Sequence, residues 1–346
     1  MTDTPKRRLV VNLRESRPIW DVPAWALDEI LAAVPEDWET VVLDEPADSR
    51  GDGGKVAPGV LEAVRGAEVY FGYGVPAELF EAAGGGLRWV HSAAAGVGGS
   101  LHEAMRASDV VFTNSAGVHA EPIADTVMAM VFHFARGLDF AVRLQAEARW
   151  DQGPFLAADA PVRELSECTL GLLGLGGIGE AVARRALALG MRVTALRRSE
   201  KPGPDGVELF RGEGALERML PELDYLVVTV PQTEKTKGMV GAREIGRLPE
   251  RAVIVNVARG GVVDEGAMTE ALREKRIRGA GLDVFAEEPL PAGSPLWGLP
   301  NVLVTPHVSG TSHRFWRRQT DLVAGNLRRY LAGAPLLNTV DKQAGY

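Results

Sequence analysis

The chain has 346 residues, of which 46% are hydrophobic and 24% charged, a globular composition long enough for two domains. Its net charge of −8 argues against a nucleic-acid or anionic-membrane partner, because such partners need a surplus of Lys and Arg on one face. The single cysteine, Cys168, excludes an internal disulfide and a thiolate metal cluster, which fits a reducing cytosol.

Two apolar stretches bear on where the protein resides. The run 9–13 ends at Arg14 and is too short for the apolar region of a signal peptide. The stretch 122–135 contains two ionisable residues and is shorter than the roughly 20 residues that span a bilayer. We therefore expect a cytoplasmic protein without a membrane partner, with a buried helix over 122–136.

The first 136 residues alternate β-branched runs with Ala-, Glu- and Leu-rich helical patterns. The predicted strands are 9–11, 41–43, 69–71, 87–90 and 110–112. Short strands that alternate with helices predict a parallel α/β sheet.

A second alternating series begins at Thr169, after an irregular stretch over 147–161. Its predicted strands are 170–173, 193–196, 225–228, 253–255, 281–284 and 302–304. These strands are almost continuously apolar, which predicts a doubly wound sheet that is covered on both faces. Such sheets bind ligands beyond the carboxyl ends of their strands.

Gly174, Gly176 and Gly179 form the pattern G-x-G-x-x-G between a predicted strand and a predicted helix. In a dinucleotide site the first glycine permits a tight turn, the second admits the pyrophosphate, and the third lets helix and strand pack closely. The pattern is weak by itself in a chain with 40 glycines, so the flanking strand and helix carry the prediction.

The strand after this loop lacks the acidic residue that would bind the adenosine ribose of NAD. Arg197, Arg198 and Ser199 follow it instead, and they could bind a 2′-phosphate through charge-assisted hydrogen bonds. We therefore predict NADP(H) as the preferred cofactor and NAD(H) as the alternative. The two arginines could also be solvated loop charges.

An Arg, a Glu and a His occur in that order at the ends of three later predicted strands. They lie in Asn-Val-Ala-Arg-Gly-Gly over 256–261, Gly-Leu-Asp-Val-Phe-Ala-Glu-Glu-Pro over 281–289 and Thr-Pro-His-Val-Ser-Gly over 305–310. Together with the glycine pattern, these runs resemble the signatures of the D-2-hydroxyacid dehydrogenase family, including its NADPH-dependent glyoxylate/hydroxypyruvate reductases. The resemblance extends over nearly the whole chain, through 114–118, 231–236 and 338–341.

The resemblance assigns Arg259 to the substrate carboxylate and carbonyl, His307 to proton transfer and Glu288 to holding His307. Physical chemistry favours the same roles, because a guanidinium binds a carboxylate through two hydrogen bonds and imidazole titrates near neutrality. Taken singly, Glu288 could be a surface charge and His307 a turn residue.

Further ligand contacts follow from the resemblance, and no metal site is predicted. Cofactor contacts are implied at Gly177, Ile178, Val230, Pro231, Val257, Ala258, Asp283, Ser309 and Gly310. Asp283 would lie near the nicotinamide carboxamide, or else cap its own loop. Substrate contacts are implied at Ala95 and Gly96, whose small size allows close approach to backbone N–H groups, and at Tyr73 and Gly74.

These observations predict two Rossmann-like or flavodoxin-like α/β domains with doubly wound parallel sheets. Residues 1–136 with 311–346 would form the substrate domain, and 137–310 a cofactor domain inserted in it. The active site would lie between them, and the resemblance implies a homodimer. Tyr73 could equally belong to the core, and Trp316 could close the pocket or simply pack in a helix.

The predicted reaction is reduction of a small 2-keto acid, such as glyoxylate or hydroxypyruvate, to the D-2-hydroxy acid. One alternative is an NAD-dependent dehydrogenase that oxidises a D-2-hydroxy acid. The other is a dinucleotide-sensing binding protein on the same fold, because fold does not determine function.

Overall fold

The computed structural model describes residues 7–46 and 56–345. The chain divides into two compact units. Unit 1 comprises Met1–His119 with Thr311–Tyr346, and unit 2 comprises Ala120–Gly310. Unit 2 is thus inserted in the sequence of unit 1, as predicted.

Unit 1 contains a five-stranded parallel sheet in the order β2-β1-β3-β4-β5. Its elements before the insertion are β1 (Arg8–Asn12), α1 (Ala24–Leu31), β2 (Glu39–Val42), α2 (Pro58–Ala63), β3 (Val69–Gly72), α3 (Ala77–Ala82), β4 (Trp89–Ser92), α4 (Glu103–Ala107) and β5 (Val111–Asn114). One apolar cluster covers each face of this sheet, because successive side chains of a strand point to opposite faces.

Unit 2 contains a seven-stranded parallel sheet. Its elements are α5 (Ala120–Ala135), α6 (Leu138–Ala146), α7 (Gly153–Leu156), β6 (Thr169–Leu173), α8 (Gly177–Ala188), β7 (Arg192–Leu196), β8 (Val207–Phe210), α9 (Ala215–Met219), β9 (Tyr225–Val228), α10 (Ala242–Ile245), β10 (Val253–Asn256), α11 (Glu265–Arg273), β11 (Gly279–Leu282) and β12 (Val302–Val304). The strand order is β12-β11-β10-β9-β6-β7-β8, the order of a doubly wound dinucleotide-binding sheet with a seventh strand added.

The last helix, α12 (Phe315–Leu331), returns to unit 1 and packs against α1. Phe315, Trp316 and Val323 are buried in the core of that unit. Trp316 therefore has the packing role that the sequence analysis left open. None of the helices in the described part of the chain combines the length and the apolar character needed to cross a membrane.

The helix predicted over 122–136 is α5, and the contacts of the chain assign it to unit 2 rather than to unit 1. The physical reason is its packing: α5 lies against α8, and its buried Ile123, Val127 and Val131 belong to the apolar core of unit 2. Unit 2 ends at Gly310.

Two strands of unit 2 differ from the sequence analysis. Strand β8 was not predicted, because it is a half-buried edge strand whose sequence Val-Glu-Leu-Phe breaks the apolar run. Strand β11 occupies Gly279–Leu282, two residues earlier than predicted. Asp283 therefore lies directly after the strand, at the edge of the sheet where ligands bind.

Candidate functional site

The glycine loop of unit 2 joins β6 to α8, as the pattern predicts. Gly174 has a φ of +105°, a conformation that L residues rarely adopt, and its N–H donates to the Leu196 carbonyl. The Thr229 hydroxyl donates to the Gly174 carbonyl at 2.9 Å and so ties the loop to the end of β9. The first turn of α8, with Gly177 and Ile178, begins directly after this loop.

The three glycines of the pattern differ in what a Cβ atom at each position would contact. A Cβ atom on Gly179 would lie 2.4 Å from the Gly174 carbonyl oxygen, and one on Gly174 would lie 2.8 Å from a Val230 methyl group. A Cβ on Gly176, by contrast, would meet no heavy atom of the described residues within 4 Å, apart from those of its two neighbours in the sequence. Packing within the chain therefore explains Gly174 and Gly179, while Gly176 leaves open space at the N-terminus of a helix, where backbone N–H groups favour an anion.

The residues predicted to bind a 2′-phosphate follow β7. Arg197 is largely buried, and its guanidinium donates to the Ser199 hydroxyl at 3.0 Å and to the Pro202 carbonyl at 2.9 Å. It also lies 3.5 Å from the Glu180 carboxylate on α8. Arg197 thus shapes the loop after β7, and its neighbour Arg198 is exposed.

Arg259 follows β10 in a turn that Asn256 organises. The Asn256 side chain donates to the Arg259 carbonyl at 3.1 Å and accepts from the Ala258 N–H at 3.1 Å. Val257 and Ala258 are buried, whereas the Arg259 side chain is exposed and its one described hydrogen bond is to the Ala258 carbonyl. Most of the guanidinium donors therefore have no described partner within the chain, which suits a group that binds an anionic ligand.

Gly260 brings this turn against the segment that carries Glu288. A Cβ on Gly260 would lie 1.9 Å from the carbonyl carbon of Phe285, so only glycine allows the two backbones to approach so closely. The loops after the neighbouring strands β10 and β11 are thus in direct contact.

Glu288 and His307 form the pair that the resemblance implies. The His307 Nδ1 atom lies 2.6 Å from one Glu288 carboxylate oxygen, and the other oxygen accepts from the Phe285 N–H at 3.0 Å. The His307 side chain is 48% exposed, so its ring remains accessible to a ligand. A carboxylate that contacts Nδ1 restricts the plane of the ring and leaves the second nitrogen, Nε2, for contact with a ligand.

Asp283 is fully buried beside this pair. Its carboxylate accepts from the Thr305 hydroxyl at 2.6 Å, from the Val308 N–H at 2.9 Å and from the Ser309 N–H at 3.0 Å. These donors lie on both sides of His307 in the sequence, so the predicted cofactor residue Asp283 is bonded to the histidine loop.

The predicted residues of unit 2 follow one edge of the sheet. His307, Asp283 and Arg259 follow the adjacent strands β12, β11 and β10, while Val230 and Pro231 follow β9. The glycine loop and Arg197 follow β6 and β7. The carboxyl ends of parallel strands share one edge, so the catalytic candidates lie on one side of the switch between β9 and β6, and the glycine loop and Arg197 lie on the other.

The predicted substrate residues of unit 1 follow two adjacent strands. Gly74 follows β3 with a φ of +113°, and Ala95 and Gly96 follow β4. Tyr73 is buried in the core, where its hydroxyl donates to the Trp20 carbonyl and burial raises its pKa above the ordinary value. The aromatic side chain therefore packs inside unit 1.

The polar residues that hold the loop around Ala95 were not identified as functional from the sequence. The Asn114 side chain donates to the Ala95 carbonyl at 2.7 Å, and the Ser115 N–H donates to the Ala94 carbonyl at 3.1 Å. Asn114, like Asn256 in unit 2, ends a buried strand, and that position was the available signal.

Two further findings concern groups outside the candidate catalytic residues. Cys168 is buried, and burial raises its pKa to about 11, which favours a packing role over that of a nucleophile. Among the described residues, no group of three or more His, Cys, Asp or Glu side chains is arranged to hold a metal ion.

The chain is similar in sequence to several known proteins. A family profile described as D-isomer specific 2-hydroxyacid dehydrogenase, NAD binding domain, matches residues 128–309. A glyoxylate reductase of Korarchaeum cryptofilum is 37% identical over 274 residues, which cover 78% of this chain and 80% of that protein. A glyoxylate/hydroxypyruvate reductase B of Pectobacterium atrosepticum is 34% identical over 242 residues, which cover 70% of this chain and 75% of that protein.

Solved structures resemble the chain over nearly its full length. A D-isomer specific 2-hydroxyacid dehydrogenase of Xanthobacter autotrophicus Py2, in complex with NADPH and MES, has a TM-score of 0.80 and 32% identity and covers 99% of this chain and 100% of its own. An NADPH-dependent glyoxylate/hydroxypyruvate reductase of Sinorhizobium meliloti, in complex with NADP and sulfate, has a TM-score of 0.77 and 28% identity over the same shares.

Proposed function

Because the chain belongs to the D-isomer specific 2-hydroxyacid dehydrogenase family, we propose that it reduces a small 2-keto acid to the D-2-hydroxy acid with NADPH. Membership makes the chain an oxidoreductase. The observation that carries the specific proposal is the contact of 2.6 Å between His307 and Glu288, beside the outward-facing Arg259. Relatives named as glyoxylate or glyoxylate/hydroxypyruvate reductases support a short substrate.

In this proposal each of the three residues has a separate task. Arg259 binds the substrate carboxylate through two hydrogen bonds and so orients the 2-keto carbon. His307 donates a proton from Nε2 to the carbonyl oxygen as that oxygen becomes a hydroxyl. Glu288 holds Nδ1, which keeps the ring in the orientation that this transfer needs.

The loop between β6 and α8 fits a dinucleotide. Gly176 has no side chain, so the space beside the N–H groups at the start of α8 stays open for a ligand. When bound, the reduced nicotinamide supplies the hydride. The parts of the chain that would hold the cofactor are the glycine turn, the backbone at Val257 and Ala258, and the loop with Ser309 and Gly310.

We propose NADPH rather than NADH because Arg197, Arg198 and Ser199 stand where an NAD-specific chain would have an acid. The solved relatives bound to NADPH and to NADP support this preference. Arg197 is held by the loop and by Glu180, so the phosphate would meet a guanidinium that is already oriented. NADH remains the alternative cofactor.

Oxidation of a D-2-hydroxy acid uses the same residues in reverse, with His307 as the base. A dinucleotide-sensing protein would keep the glycine loop without turnover.

The homodimer stays a prediction. Helix α5 buries its apolar face within unit 2, while exposed apolar side chains of the next segment, Val142, Trp150 and Leu156, are available for contacts with another chain.

The test is consumption of NADPH and of NADH by the purified protein with glyoxylate, hydroxypyruvate and bulkier 2-keto acids. We expect turnover with the small acids and a higher kcat/KM for NADPH. The Arg197→Asp variant should shift the preference towards NADH by about tenfold or more, because a carboxylate repels a 2′-phosphate. Arg192→Asp, at the opposite end of β7, is the matched control and should leave the preference unchanged.

Three outcomes would contradict parts of this proposal. Activity with NADH alone would reject the cofactor preference and retain the reaction. An unchanged NADPH preference in Arg197→Asp would locate phosphate recognition in other residues. Tight nucleotide binding without turnover of any 2-keto acid would favour the sensing protein.

A further inference from the structure

Two carboxylates accept the N–H groups of adjacent residues in the turn that carries Glu288. The Phe285 N–H donates to Glu288 Oε1 at 3.0 Å, within the turn itself. The next N–H, that of Ala286, donates to Glu265 Oε2 at 2.9 Å. Glu265 is the first residue of α11 and lies 21 residues earlier in the chain than Ala286. The turn is therefore bonded to a helix outside it as well as to its own side chain.

Helix α11 continues the segment that carries Arg259. Only five residues separate Arg259 from Glu265 in the sequence, and three of them form a short helical turn, Gly260–Val262. The Asp264 side chain caps α11 by accepting the Ala267 N–H at 3.0 Å, so the first turn of the helix is fixed. Glu265 thus links the segment of one candidate catalytic residue to the turn of another.

The two segments also touch at a second point. Gly260 packs so closely on the Phe285 backbone that a Cβ atom would lie 1.9 Å from the carbonyl carbon. This packing contact prevents the segments from moving closer, whereas the hydrogen bond from Ala286 to Glu265 opposes their separation. Together the two contacts define the distance between the segments.

Glu288 uses both of its carboxylate oxygens, so it depends on this distance. Oε1 accepts from the Phe285 N–H, and Oε2 lies 2.6 Å from His307 Nδ1. A displacement of the backbone at 285–286 would therefore draw the carboxylate away from one of its two partners. A displacement of about 1 Å near a reacting group can cost roughly a hundredfold in rate.

An acidic residue in the first turn of a helix also has an ordinary structural role, because it favours the positive end of the helix dipole. Glu244 of α10 illustrates that role, since its carboxylate accepts the Gly241 N–H at 3.1 Å, at the start of its own helix. The partner of Glu265, by contrast, belongs to a different loop. That difference favours a role for Glu265 beyond its own helix.

We propose that Glu265 is a positioning residue, which fixes the turn of Glu288 relative to Arg259 by accepting a backbone N–H of that turn. In this way it keeps the Glu288 carboxylate in contact with His307. The inference rests on the proposed function, because the catalytic roles of these residues come from it. The hydrogen bond itself does not depend on those roles, so the two can be tested separately.

The first test compares two variants of Glu265. Glu265→Ala removes the acceptor, whereas Glu265→Gln retains an oxygen that can accept the same N–H. We expect kcat per bound reduced cofactor to fall about tenfold or more in Glu265→Ala, with the KM for glyoxylate and the Kd for NADPH within about threefold of wild type. Glu265→Gln should recover kcat to within about threefold of wild type. Glu244→Ala, the matched control, should retain wild-type kcat.

A double variant shows whether Glu265 acts through His307. With His307→Ala the proton donor is already absent, so adding Glu265→Ala should lower the residual kcat by less than about twofold. A further tenfold loss in that background would overturn the positioning role. The same conclusion follows if kcat is unchanged in Glu265→Ala, if Glu265→Gln recovers nothing, or if Glu244→Ala loses as much activity.

Hydrogen exchange at the Ala286 amide tests the hydrogen bond without turnover. Exchange should accelerate about tenfold or more in Glu265→Ala and stay unchanged in Glu244→Ala. If the wild-type protein reduces no 2-keto acid, the proposed function fails, while this readout still tests the bond. Unchanged exchange in Glu265→Ala would overturn the inference. Should that variant fail to fold, Glu265→Asp withdraws the carboxylate by one methylene group, keeps the charge in the first turn of α11 and has the same expected results.

Discussion

Two histidines at the carboxyl-terminal side of parallel strands have opposite environments in this protein. His91 lies in β4 of unit 1, is fully buried, and contacts the Thr113 hydroxyl at 2.9 Å and the Gln319 side chain at 3.0 Å. His307 follows β12 of unit 2, is about half exposed and is paired with Glu288. The same side chain is part of a core in one unit and, in the proposed mechanism, the proton donor in the other.

The partners explain the difference. The described hydrogen-bond partners of His91 are uncharged, and burial lowers its pKa to about 3, so the ring remains neutral. His307 has a carboxylate on one nitrogen and a ring that is about half exposed to solvent. The burial and the partners of a histidine therefore decide whether it is a core residue or a candidate for catalysis, and the residue type alone does not reveal either.

The largest expected effect comes from His307→Ala. Loss of the proton donor should lower kcat by at least about 100-fold, while the free energy of unfolding should change little because the ring is exposed. Steady-state kinetics and thermal unfolding measure both quantities. His313→Ala, at an exposed position of unit 1, should retain full activity. Near-normal turnover of His307→Ala would remove His307 from the mechanism.

His91→Ala should give the reverse pattern. The change leaves a cavity and removes the partner of Thr113 and Gln319, so we expect the free energy of unfolding to fall by about 1–3 kcal/mol at pH 8. The pH dependence of kcat for the folded enzyme should stay as in the wild type. Chemical denaturation and a pH–rate profile measure the two. A profile that moves with His91 would mean that this residue, too, takes part in catalysis.

The smallest effect concerns the pH dependence of stability. Because the pKa of His91 is lowered in the folded state, the unfolded chain binds more protons below about pH 6.5, and the stabilisation is lost as the pH falls from 6.5 towards 3. At pH 5 the loss should be about 2 kcal/mol relative to pH 8. The difference between wild type and His91→Ala, measured at both pH values, should shrink by that amount. A constant difference would show that His91 titrates alike in both states.

Much of the fold and of the candidate site could be predicted from local patterns. The apolar strands, the glycine loop and helix α5 each depend on residues close in sequence, and two parallel α/β sheets were the correct expectation. Strand β8 was not predicted, because its stability comes from pairing with β7 rather than from an apolar run of its own. The pairing of Glu288 with His307 was expected from the resemblance and is present in the structure.

The sequence by itself predicted the fold class, with one unit inserted into the other, and supplied the candidate catalytic side chains. These properties follow from periodicity and from motifs that span a few residues. The tertiary structure alone decided that Tyr73 and His91 are buried, that α5 belongs to unit 2 and that Asp283 is bonded to the histidine loop. Such properties depend on partners that are distant in the chain: Asp283 and Ser309 are 26 residues apart, and His91 and Gln319 are 228 apart. Only folding brings those groups within hydrogen-bond distance and removes the water that would otherwise satisfy them.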